Sequence, residues 1–127
     1  MEQKILLIDD DPEEHEIFQF ALDLALPETG CEHAFNCQDA VDKIRNGGTP
    51  SLGHIFLDMN MPCMELPKCI FSIKEALGNQ SAEIIILTGY RMPDMAGMDE
   101  LGITNVITKP GSVDMLADKI RQSVGKK

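Results

Sequence analysis

Short apolar runs and helical stripes alternate along the chain. Ile5 to Ile8 is a continuous apolar run, the pattern of a strand buried on both faces. Asp11-Pro12-Glu13-Glu14 then reads as a helix start, with Asp11 as N-cap, Pro12 at the first helical position and Glu14 closing a capping box. Phe18, Ala21, Leu22 and Ala25 continue at helical spacing until Pro27 and Gly30 stop the helix. Cys31 to Phe35 is a weaker strand, and Ala40, Val41 and Ile44 mark a short helix that ends at Asn46-Gly47-Gly48.

The alternation continues to the C-terminus. Ile55-Phe56-Leu57 forms a third strand ending on Asp58, and Leu66, Ile70, Ile73 and Leu77 set a helical stripe with Pro67 near its start. Ile84 to Leu87 is the clearest buried strand and ends on Thr88. Between Met92 and Leu101, Pro93 and Gly97 weaken the pattern, which predicts a short or mobile fourth helix. Val106-Ile107 gives a fifth strand ending at Thr108-Lys109, and Ser112 caps a last helix that buries Leu116, Ile120 and Val124. Five strands alternating with five helices predict an α/β fold, a doubly wound five-stranded parallel sheet.

In such sheets ligands bind beyond the carboxyl ends of the strands. At those ends stand Asp9 and Asp10, Asp58, Thr88 and Lys109. Ionised carboxylates this close repel: at about 6 Å and an effective dielectric of about 20, each pair costs about 3 kcal/mol. A hard cation offsets that cost, and magnesium favours one or two carboxylates, waters and phosphate oxygens. Asp10 and Asp58 read as direct ligands, with Asp9 acting through water and Asp11 kept for the helix cap. Thr88 and Lys109 have no role toward a cation alone, but a hydroxyl and an ammonium suit phosphoryl oxygens. Asp58 is then the nucleophile that takes a phosphoryl group.

Length and charge narrow the reading. The 127 residues, 43% of them hydrophobic, fit one domain with one core. A formal charge of −10 argues against direct binding of nucleic acid or anionic membrane and favours a partner with a basic or apolar docking patch. No apolar run approaches the roughly 18 residues of a membrane span, and the N-terminus lacks the order of a signal peptide, so a cytoplasmic protein is expected. Cys31, Cys37, Cys63 and Cys69 fall into two sequence pairs unlike metal or redox motifs, and are expected to be reduced, packed thiols. His15, His33 and His54 show no ligand spacing, and Met92, Met95 and Met98 read as core filling before docking surface. Tyr90 reads equally as a shield for the phosphoryl group and as a plain surface residue.

ILLIDDD, IFLDMNMP, IIILTG and ITKP, in this order and spacing, resemble the receiver domain of two-component response regulators of the chemotaxis-regulator type, over essentially the whole chain. The resemblance implies a flavodoxin-like receiver fold with residues 1–127 as a single receiver domain. It implies that Asp58 accepts phosphate from a sensor histidine kinase or histidine phosphotransfer protein, with Mg2+ held by Asp9, Asp10, Asp58 and the backbone carbonyl of Asn60. Lys109 pairs with the phosphoryl group, Thr88 moves to hydrogen-bond it, and the Lys109–Pro110 bond is cis. Such a chain is a phosphoacceptor signalling domain that promotes its own phosphorylation and dephosphorylation. It switches binding of an unidentified downstream protein, and homodimerisation is compatible with it.

The chain departs from the family pattern at Cys63-Met64-Glu65-Leu66-Pro67, at Val106, where the family has an aromatic switch residue, and at Gly111, where a bulky residue is usual. Two other readings stay open. A phosphoaspartyl-type hydrolase shares the acid, hydroxyl and lysine but usually has a second aspartate where this chain has Asn60. A phosphorylation-independent adaptor of the same fold is the other.

Overall fold

The structure, a computed structural model, describes residues 4–47, 52–59, 61, 65–89, 95–103 and 105–124. Five strands, β1 (Lys4–Ile8), β2 (Cys31–Ala34), β3 (Leu52–Asp58), β4 (Glu83–Thr88) and β5 (Asn105–Thr108), alternate with α1 (Pro12–Ala25), α2 (Cys37–Arg45), α3 (Leu66–Leu77), α4 (Met95–Glu100) and α5 (Val113–Val124). The strands form one parallel sheet in the order β2-β1-β3-β4-β5. The order therefore reverses between β1 and β3, and the crevice beyond their carboxyl ends lies at that switch point.

The sheet is buried on both faces, which is why its central strands read as unbroken apolar runs. Leu6, Ile8, Ile55, Leu57 and Ile86 face one side with Ile44, Ile70, Ile73 and Met98 from α2, α3 and α4. Ile5, Leu7, Phe56 and Ile85 face the other with Phe18 and Leu22 of α1 and Leu116 and Ile120 of α5. Phe18 meets Phe56 edge-on at 5.0 Å between ring centroids, a geometry that adds about 1 kcal/mol to area burial. Met61 and Met98 are core residues, as expected for Met98. Val124 is only half-buried, and Ala117 takes the buried position on α5 instead.

Helix starts follow the local chemistry. The Asp11 side chain accepts from the Glu13 N–H at 3.0 Å, and the Ser112 hydroxyl accepts from the Met115 N–H at 3.2 Å. Glu14 does not close a capping box, because the Asp11 N–H that it would bind donates to Asp9 Oδ1 at 3.0 Å. α4 has six residues, in line with the poor pattern of its sequence. Its exit is held from α3: Lys74 Nζ donates to the Leu101 carbonyl at 2.7 Å and passes over Gly102, at φ +81°, where a Cβ would lie 2.5 Å from that nitrogen. No cis peptide bond occurs among the described residues, so the expected cis Lys109–Pro110 bond is not found; trans is favoured by about 0.5–1 kcal/mol before proline.

The cysteines overturn the sequence reading. Cys37 and Cys69 are joined as a disulfide, with Cα atoms 5.9 Å apart. The packing of α2 against α3, which spacing along the chain cannot show, brings them together. Cys31 is free, and Cys63 lies outside the described residues.

Candidate functional site

β1 ends by delivering Asp9 and Asp10 to the switch-point crevice, and the parallel register of β1 with β3, Ile8 opposite Leu57, brings Asp58 alongside. Carboxylate oxygens of Asp9, Asp10 and Asp58 lie within 4.8 Å of one another. Asp9 and Asp58 are buried and Asp10 is exposed, so the cluster is open to solvent on one side. A trio of hard oxygen donors with one open side suits magnesium, so the residues present fit the ion expected from the sequence. Asn60, Cys63 and Tyr90 lie outside the described residues.

β4 and β5 complete the rim. Thr88 is buried at the end of β4, and its carbonyl accepts from the Lys109 N–H at 2.7 Å, which fixes the backbone from which the lysine projects. Lys109 Nζ then lies 3.5 Å from Asp9 Oδ2, 3.7 Å from Asp58 Oδ1 and 3.4 Å from Glu14 Oε1. Burial works to lower the Lys109 pKa, but Asp58, Asp9 and Glu14 outweigh it and the pKa rises. Asp9 goes the other way from an ordinary paired acid. Burial pushes it up to about 6; the Asp11 N–H and Lys109 oppose the rise, while Asp58 and Glu14 add to it. Burial, helped by Asp58 and Glu14, thus outweighs what Lys109 and the Asp11 N–H offer the Asp9 carboxylate.

Two residues of α1 belong to the site and were misread or passed over in sequence. Glu14 pairs with Lys109 instead of the helix cap. His15 is buried, and its Nε2 lies 2.8 Å from the Asp9 carbonyl oxygen, while its Nδ1 lies 2.7 Å from His33 Nδ1. The signal for His15 was present: it falls three and seven residues before Phe18 and Leu22, on the buried stripe of α1. Gly111 lines a hollow of about 220 Å³ with Lys109, Ile17 and Leu116.

A sequence model of the response regulator receiver domain matches residues 5–121. The chain belongs to the response regulator receiver family. This receiver is similar over 98% of its length to a CheY-like receiver domain protein from Methanospirillum hungatei JF-1, with 21% identity, TM-score 0.76 and 95% of that chain covered. It is equally similar to the receiver domain of a DNA-binding response regulator from Colwellia psychrerythraea 34H, with 26% identity, TM-score 0.75 and 98% and 100% of the two chains covered. A third similar structure holds the P1 domain of CheA3 in complex with CheY6 from R. sphaeroides, with 27% identity, TM-score 0.70 and 98% of each chain covered. No curated protein sequence matches this receiver. The family is a phosphoacceptor signalling domain of two-component systems whose members typically bind magnesium at an acidic pocket, and this chain carries an aspartate cluster of that kind.

Proposed function

We propose that this chain is one receiver domain, residues 1–127, in which Asp58 accepts a phosphoryl group from a phosphohistidine on a sensor kinase or phosphotransfer protein. The observation that carries the reading is the grouping of Asp58 with Asp9 and Asp10 within 4.8 Å while Lys109 Nζ lies 3.7 Å from the Asp58 carboxylate. An acid held between a cation and two further acids at a strand end is placed to act as nucleophile and to have its new negative charge balanced.

Asp58 attacks phosphorus, the P–N bond breaks, and the imidazole leaves with the bonding electrons. Lys109 swings its ammonium to the phosphoryl oxygens, which draw it from Asp9 and Glu14, and the Thr88 hydroxyl donates to another oxygen. Asp9, Asp10, Asp58 and the Asn60 carbonyl would hold magnesium, which would neutralise the phosphoryl charge. Ile17, Phe20 and Leu24 stand exposed at helical spacing on α1, with Ile17 lining the hollow beside Lys109, and suit an apolar partner surface. The CheA3 P1 and CheY6 complex supports a histidine-bearing partner of this kind. The phosphorylated chain then switches a downstream protein, without turnover of an external substrate. The action is placed in the cytoplasm as part of this reading; no described helix is long and apolar enough to cross a membrane.

The test is incubation with magnesium and a small phosphodonor such as acetyl phosphate, beside an assay for turnover of a generic phosphate ester. One phosphoryl group incorporated, with no ester turnover, is expected. Rapid ester turnover supports the hydrolase, and no incorporation supports the adaptor.

A further inference from the structure

The bridged cysteines differ in exposure. Cys69, on the buried side of α3, is 4% exposed and packed in the core. Cys37 is half-buried and, together with Cys69, Asp10, Phe35, Met61 and Lys68, lines a hollow of about 520 Å³, where it is the more exposed of the two cysteines. It is also the first residue of α2, directly after the N-cap Asn36. The N–H groups of that helix end favour negative charge beside them, while the Lys68 ammonium on the same wall is paired with Glu65 at 3.1 Å. The remaining described cysteine is different: burial, then Glu32, pushes the Cys31 thiol up to about 12, which leaves it inert. The Cα separation of 5.9 Å is one that a disulfide spans without backbone movement.

The bridge also ties down the start of α3, beside the core packing of Ile70. α3 starts at Glu65 with no side-chain cap, whereas α2 is capped by Asn36 Oδ1, which accepts from the Asp39 N–H at 2.7 Å. The covalent link to a capped helix adds to that packing in holding the uncapped first turn of α3, on the chain segment that follows Asp58, against the hollow beside Asp10.

We propose that Cys37 and Cys69 form a reversible thiol–disulfide site for low-molecular-weight thiols and disulfides, with Cys37 as the exchanging sulfur, whose state sets how firmly the first turn of α3 is held. An incoming thiolate attacks Cys37 Sγ, the S–S bond breaks, and Cys69 leaves as a thiolate that takes a proton. A second thiol attacks the mixed disulfide and releases Cys37. Two electrons and two protons pass to the protein, and two small thiols become one disulfide. The hollow reaches Asp10 of the acidic cluster, but neither magnesium nor a phosphodonor enters the test of the thiol site.

The experiment equilibrates the full chain in buffers of graded reduced-to-oxidised glutathione ratio, alkylates free thiols and reads intact mass, with peptide mapping of the bridge. Two thiols titrating together as one two-electron step, mapped to Cys37 and Cys69, are expected, with the step kept in Cys31→Ser and Cys63→Ser. Between the single variants, Cys69→Ser gains glutathione at Cys37 about tenfold faster than Cys37→Ser gains it at Cys69. In hydrogen exchange, the amides of Cys69 and Ile70, the first in α3 with intrahelical acceptors, exchange several-fold faster in the reduced protein while α5 is unchanged. Four alkylated cysteines in the most oxidising buffer, a bridge mapped to another pair, or equal rates in the two single variants would overturn the site. Identical exchange of the first turn of α3 in both states would overturn its structural role.

Discussion

Glu14 reaches from the first turn of α1 to Lys109, with Oε1 3.4 Å from Nζ, and makes the lysine the shared cation of three acids. In the absence of bound metal, Lys109 is what offsets the repulsion built into the aspartate run. The ammonium and a divalent cation therefore compete for the same charge.

Lys109→Met follows from that competition. Removing the cation from two buried acids destabilises the metal-free protein by about 3 kcal/mol near neutral pH. The same change removes a charge that repels magnesium, so magnesium binds several-fold more tightly while phosphoryl acceptance falls. Urea unfolding with a chelator present, and calorimetric titration of magnesium, check both signs. Weaker magnesium binding by Lys109→Met would contradict the competition.

The aspartates of the opening run divide their work. Asp10→Ala removes one of three converging carboxylates and loses magnesium binding. Asp11→Ala removes a helix cap and costs about 1 kcal/mol of stability, with magnesium affinity close to that of the parent. Equal losses of affinity in the two variants would go against this division.

Asp9 sets a pH dependence. Its carboxyl titrates at about 6 in the folded chain against 3.8 ordinarily, so the folded state holds the proton more tightly. That preference stabilises the fold fully below the unfolded value and is lost as pH rises to the folded one. Above about pH 6 the ionised, buried acid costs about 3 kcal/mol. Asp9→Asn removes the step. Without divalent metal it is more stable than the parent near neutral pH, and the advantage shrinks toward about pH 4. Unfolding curves over that range check it, and an advantage that grows as pH falls would have the wrong sign.

The readout is expected in α4. Val106 is half-buried against the core and β-branched, too small and stiff at χ1 for the swing of an aromatic switch. α4 has one described fully packed residue, Met98, and is tied down by the Lys74 to Leu101 bond, so it is the element most easily shifted by a change at Thr88. Phosphorylation should alter hydrogen exchange most between Gly89 and Leu101, of which Tyr90 to Asp94 lie outside the described residues, and Val106→Ala should leave that change intact. A difference centred on Val106 and α5 instead would move the route elsewhere.

Sequence pattern revealed the elements and the rim because both are local. A run such as Ile84 to Leu87 signals a strand buried on both faces, and the residue that ends it stands at the crevice by the topology alone. Ionic and covalent partners are not local. Glu14 had two chemically sound uses, a helix cap and an ion pair, and the choice depended on where Lys109 and Asp9 would sit. His15 was hidden by its chemistry, since a polar residue on an apolar stripe becomes intelligible once the Asp9 carbonyl is found beside it. The early half of β3 was missed because Gly53 and His54 interrupt the apolar run, and His54 is accommodated by Glu83 on β4 at 3.7 Å.

The most direct measurement of the central reading is peptide mapping of the phosphoryl group after labelling with a small phosphodonor and magnesium, in the parent chain and in Asp58→Asn. The account predicts one magnesium-dependent acyl phosphate, on the peptide that contains Asp58, and none in Asp58→Asn. Undiminished labelling of Asp58→Asn, or an acyl phosphate mapped to Asp9 or Asp10, would contradict it.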